Sequence, residues 1–152
     1  MPPSDATPLK SGRRHPSHDR AEPEIRRAEQ LYRAFVFALC KANGVSSDAV
    51  LASDPRSYDR GRSAYPLGQI RLQARYLTVV EGRFKQAVVA AACGVTEVAV
   101  CLGLKRVEDM RDDRAIENLM DLVAEEVLGT LCRTVAPSRD ILFSAARAQI
   151  GA

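Results

Sequence analysis

The chain has 152 residues, 46% apolar but only 5% aromatic and without Trp, so it has room for one ordinary domain with tails and a core built from Ala, Val and Leu. That length excludes a catalytic domain with a separate regulatory one, and no apolar run reaches the roughly 18 residues of a membrane helix. The net charge of +3 is unevenly spread. Residues 56–85 hold seven basic side chains against two acidic ones, a net of +5, while residues 108–126 hold two basic against eight acidic, a net of −6. Basic segments are footprints of phosphate contact, and acidic ones suit a basic protein partner.

Residues 1–22 carry four of the eight prolines and no aromatic residue, too little apolar surface to offset chain ordering, so a disordered tail is expected there and a helical domain over 23–152. Both histidines, His15 and His18, fall in that tail, and neither a metal nor another cofactor is expected. Pro23 suits a first helical turn. Ile25, Ala28, Leu31, Tyr32, Phe35, Ala38 and Leu39 then recur at three and four residues until Gly44, predicting a helix in which Tyr32, Phe35 and Phe37 supply aromatic core mass. Ser47 and Asp48 can cap a short helix through Ala52, and SDPRSYDRGRSAYPLG reads as a long basic loop.

A helix from about Leu67 to Val80 is expected to turn Ile70, Ala74 and Leu77 inward and Arg71, Arg75 and Thr78 outward, with Gly82 ending it. Lys85 to Cys93 reads as a short helix whose Ala87, Ala90 and Ala91 permit a close crossing. Gly94 provides a turn, and Thr96 caps a further helix with Val100, Leu104 and Val107 inward. Ile116, Leu119, Met120, Val123 and Val127 mark an amphipathic helix with Glu117, Asp121 and Glu125 on the opposite stripe, and Ser138 caps a last helix toward Ile150. No strand pattern competes, so the fold class is all-α. Cys40, Cys93, Cys101 and Cys132 lie in apolar stretches without a CxxC pair or a signal peptide, which favours free thiols in a cytoplasmic protein.

The order of these elements, with Arg71 and Tyr76-Leu77 on one helix, two short helices around Gly94 and the closing run RVEDMRDD, resembles the C-terminal DNA-binding domain of the bacterial replication initiator DnaA, and especially its short stand-alone alphaproteobacterial relatives. The likeness spans about residues 45–127 and holds without a gap from Tyr76 to Asp113. It implies a helical bundle containing a helix-turn-helix, Trp-repressor-like in arrangement. The family's central R-D-H-T-T, which touches base edges and phosphates, falls on Val95, Thr96, Glu97, Val98 and Ala99, and its histidine falls on Leu102. Only Thr96 keeps a useful hydroxyl. Val and Ala offer base edges nothing but methyl contact. The family's capping box on the preceding helix is missing too, with Lys85 and Val88 in place of Ser and Glu.

The expectation that follows is a non-enzymatic DnaA-related protein that controls chromosomal replication initiation by protein contact. The resemblance implies a partner that is the initiator or an AAA+ regulator of it, such as Hda. The candidate contact residues are Val95, Val98, Ala99 and Leu102 with the acidic Glu117, Asp121 and Glu125. The alternative is direct, weak or non-specific DNA binding, with possible nucleoid association, through Arg56, Arg60, Arg62, Arg71, Arg75, Arg83, Lys85 and Thr96. An enzyme is not expected, since the sequence offers no glycine-rich phosphate loop and no histidine base in its folded part.

Overall fold

A computed structural model describes residues 18–52 and 67–135 as six helices and no strand: α1 (His18–Asn43), α2 (Ser47–Ala52), α3 (Leu67–Val80), α4 (Gln86–Cys93), α5 (Glu97–Met110) and α6 (Arg114–Val135). The all-α class is as the sequence predicts. Arg56, Arg60 and Arg62, the residues expected to form a basic loop around them, most of the expected tail and the helix expected from Ser138 lie outside the described residues.

Helix α1 begins at His18, five residues before the expected start at Pro23. No helix breaker stands between His18 and Glu22, and Glu22 pairs with Arg26 at 3.8 Å across one turn, a weak local support for the extra turn. Further along, Ala28, Leu31, Tyr32, Phe35 and Leu39 of the predicted stripe are buried together with Val36 and Cys40 beside them, while Ile25 and Ala38 of that stripe are half-buried. Phe37 departs from expectation. It lies about 200° around the helix from Phe35 and is 50% exposed. Gly44 closes α1 in the left-handed region at φ 66°, where glycine carries no Cβ penalty, and the Val45 N–H donates back to the Cys40 carbonyl at 3.0 Å.

Helix α3 packs against each of the other five helices, and this position overturns one expectation. A period of three and four residues presumes a solvent face opposite the core; a helix surrounded on all sides has none. Ile70, Arg71, Gln73, Ala74, Arg75, Tyr76, Leu77 and Thr78 are all buried. Arg71, Arg75 and Thr78 therefore point into protein and not into water. Each finds an internal partner, as buried polar groups must: the Arg71 Nε donates to the Val50 carbonyl of α2 at 3.2 Å, and the Thr78 hydroxyl donates to the Ala74 carbonyl at 2.7 Å. Arg75 hydrogen-bonds the Tyr32 hydroxyl and the Cys93 thiol, so one guanidinium joins α1, α3 and α4.

Where α5 crosses α3, Gly103 is buried, and a Cβ there would come within 2.9 Å of the Leu72 side chain. Close approach of the two helices explains the glycine. On α4 the inner face is Val89, Ala90 and Cys93. Ala87 and Ala91, expected at a close crossing, face solvent, because the inward stripe runs through 89, 90 and 93 and they fall beside it.

Candidate functional site

Helix α4 ends at Gly94, which adopts φ 66° and ψ 31° and donates its N–H to Ala90 and Ala91. The chain bends by 106° between α4 and α5 across the three residues Gly94, Val95 and Thr96. Thr96 caps α5 as predicted, its hydroxyl oxygen accepting from the Ala99 N–H at 3.2 Å. That bond occupies one acceptor position of the only hydroxyl in the segment. At the start of α4, Lys85 is the cap residue and makes no side-chain cap bond, in line with the missing capping box.

The inner face of α5 is Val100, Gly103 and Val107, with Leu104 half-buried against the core. The outer face is apolar at its start: Val98 is 67% exposed and Leu102 58% exposed, while Val95 and Ala99 are half-buried. Val98 and Leu102 are one turn apart and so form a single patch on one side of the helix. The expectation that Val95, Val98 and Ala99 are at least partly accessible agrees with this arrangement. A large apolar side chain in water is ordinary when alone; two adjacent ones at the start of a well-anchored helix form a surface.

The acidic stripe sits elsewhere. Glu117, Asp121 and Glu125 are exposed on α6, but two of them are engaged with Arg111, at 3.0 Å to Asp121 and 3.8 Å to Glu117. The same guanidinium donates to the Tyr76 hydroxyl at 3.3 Å and lies 5.7 Å from that ring's centroid. Arg111 thus ties the end of α5 to α3 and α6, and the closing run RVEDMRDD has a structural use. Val98 lies roughly 20 Å along the α5 axis from Arg111, so the apolar patch and the paired acids occupy opposite ends of one helix. Four exposed apolar residues were not anticipated from the sequence: Phe37, Val80 at 43%, Leu122 at 65% and Leu131 at 41%. A helical wheel places Phe37 and Leu122 off their buried stripes, which is the signal that finds them.

Of the basic candidates, Arg83 and Lys85 are exposed and flank the turn before α4, whereas Arg71 and Arg75 are buried within the bundle. Arg83 holds φ 56°, the one non-glycine residue in the left-handed region among the described residues, a conformation that costs an L-residue of order 1 kcal/mol.

Burial around Arg75 has a measurable electrostatic consequence. Desolvation pushes the Tyr32 hydroxyl up from 10.0 to about 12 and the Cys93 thiol up from 9.0 to about 11, partly countered by Arg75. Both groups are neutral when protonated, and both lose their protons more readily in the unfolded chain. Stability contributed by their burial is therefore fully present below pH 9 and falls as pH rises, first through Cys93 between about 9 and 11 and then through Tyr32 between about 10 and 12, by roughly 1.4 kcal/mol per pH unit for each group while it titrates. Urea midpoints measured from about pH 8 to 11.5 should fall along this course. In Tyr32→Phe the decline above about pH 10 should be shallower than in the parent; an identical slope would mean that Tyr32 does not titrate differently on unfolding.

The four cysteines are free thiols, and no single helix among the described residues is long and apolar enough to cross a membrane. No family model, curated protein or solved structure matches the chain.

Proposed function

We propose that this chain is a non-enzymatic interaction module built on a helix-turn-helix scaffold, and that the outer face of α5 docks on another protein. The observation that carries the reading is the pair Val98 and Leu102, exposed one turn apart at the start of α5. In a DNA-reading helix these positions would need donors and acceptors matched to base edges; here they carry branched hydrocarbon. The three-residue turn and the 106° bend suit a helix-turn-helix, whose helices meet at about 90–120°. The resemblance to the DnaA DNA-binding domain directs the choice of partner to the replication initiator or its AAA+ regulator. Direct DNA binding is the weaker reading, because Arg71 and Arg75 are buried and, of the basic candidates among the described residues, only Arg83 and Lys85 are exposed.

The test is one substitution read in two ways. Val98→Asp should leave the melting temperature within a degree or two of the parent, since a two-thirds exposed side chain contributes within about 0.5 kcal/mol. It should also lower capture of the purified initiator or regulator at least about tenfold, because an interface would have to bury the new charge unpaired. Unchanged capture would move the docking surface off α5. Loss of folding would make Val98 a core residue and end the reading.

A further inference from the structure

A pocket of about 210 Å³ lies where α1, α2, α3 and α4 meet. Arg71 of α3 forms part of its wall although that residue is only 3% exposed, so a permanent positive charge is held inside the bundle at this point. Arg33 of α1 adds a second guanidinium at the rim, about half exposed and 3.8 Å from the similarly exposed Glu29 carboxylate. Together Arg33, Arg71 and Glu29 give the lining a net charge of +1. Val50 and Leu51 of α2 and Ala92 of α4 contribute hydrocarbon to the wall.

Two further residues of the wall are set as donors by Arg75. Tyr32 and Cys93 both line the pocket, and both hydrogen-bond Arg75. A guanidinium only donates, so the Tyr32 oxygen and the Cys93 sulfur are the acceptors in those bonds and each group keeps its own hydrogen for a second interaction. Burial holds both groups protonated through neutral pH, which preserves the two donors. The charge of Arg71 also acts on the Tyr32 hydroxyl, which puts cation and donor within electrostatic reach of each other. Donors under a net positive charge, with hydrocarbon beside them, complement a ligand with an acceptor-only head of one negative charge on a small apolar body.

We propose that this pocket binds a small aliphatic carboxylate, with its charged head between Arg71 and the Tyr32 hydroxyl and its hydrocarbon against Val50, Leu51 and Ala92. A carboxylate matches the net charge of the lining better than a phosphate monoester, which carries about −1.5 to −2 at neutral pH. Glu29 at the rim, already beside Arg33, sharpens that preference by repelling a second negative charge. No residue of α5 lines the pocket, and the assignment is independent of the reading of α5.

Titration of the isotope-labelled full chain with isovalerate, followed by NMR at neutral pH and constant ionic strength, tests it. The amide signals of Val50, Leu51, Ala92 and Cys93 should shift and saturate in the millimolar range. The uncharged analogue isovaleramide should bind at least about tenfold more weakly. Tyr32→Phe removes one donor and keeps the ring, and Arg71→Gln removes the charge; each should weaken isovalerate binding at least about tenfold. Should Arg71→Gln fail to fold, Tyr32→Phe decides alone. Absence of saturable shifts at these residues overturns the proposal, and so does affinity undiminished in either folded variant. Equal affinity for isovaleramide also overturns it, by making the site a plain apolar cleft. Inorganic phosphate that binds more tightly than isovalerate at the same residues overturns the carboxylate assignment in favour of a phosphate site.

Discussion

Replacing Arg75 by Ala should destabilise the protein by about 2–4 kcal/mol, lowering its melting temperature by on the order of 10 °C. The side chain is buried in the middle of α3, and its removal acts in two ways. The Tyr32 hydroxyl and the Cys93 thiol lose their shared donor while staying out of water, which costs the desolvation of each group without the compensating bond. The space left by the guanidinium and its stem is enclosed by α1, α3 and α4, where partial collapse leaves a cavity. A double-mutant cycle with Tyr32→Phe separates these effects. The pair should be less destabilised than the sum of the single changes by about 1 kcal/mol, because Phe leaves no orphaned hydroxyl. A surface arginine on a DNA-binding face would give the opposite result, unchanged melting with weakened DNA affinity. Equal stability of Arg75→Ala and the parent in urea titration would place the side chain in solvent and return it to the nucleic-acid reading.

Gly82→Ala should have a comparable effect through sterics alone. A Cβ at position 82 would sit 2.5 Å from the Thr78 carbonyl oxygen and 2.5 Å from the Leu31 side chain, with Phe84 at 3.0 Å. The leucine can rotate away, but the carbonyl belongs to the backbone of α3 and can move only if the end of that helix loosens. A loss of about 2–3 kcal/mol is expected. Gly94→Ala provides the contrast. A Cβ at position 94 would meet nothing within 4 Å, so only the left-handed φ of 66° opposes the change, at a cost of roughly 1 kcal/mol. The two glycines should therefore rank Gly82 well above Gly94 in denaturation experiments. The reverse order would mean that the positive φ at Gly94 costs more than the close approach at Gly82. The α3–α4 turn sets the position of α4, and through α4 that of α5.

Amphipathic period and end signals determined much of this architecture. The buried stripe of α1, the stop at Gly44, the left-handed turn at Gly94, the Thr96 cap and the inner face of α5 follow from local rules: apolar spacing sets a face, glycine permits positive φ, and a hydroxyl satisfies an orphan N–H. The apolar outer face of α5 was legible as well, because Val98 and Leu102 fall outside the stripe of Val100, Leu104 and Val107.

The neighbours of each helix were decided only by the tertiary structure. Arg71, Arg75 and Thr78 read as a polar face, yet α3 is enclosed on every side and has no face to spare; periodicity reports polarity around one helix and cannot count the helices around it. The same blindness explains why Arg111 looked like one more charge in an acidic run, when it is the clamp between Tyr76, Asp121 and Glu117. Phe37 read as part of the packed aromatic mass and Leu131 carried no reading of its own, whereas in the structure both line a groove left between α1 and α6. Contacts between residues far apart in sequence depend on how helices cross, and crossing geometry is fixed by the packing of whole surfaces.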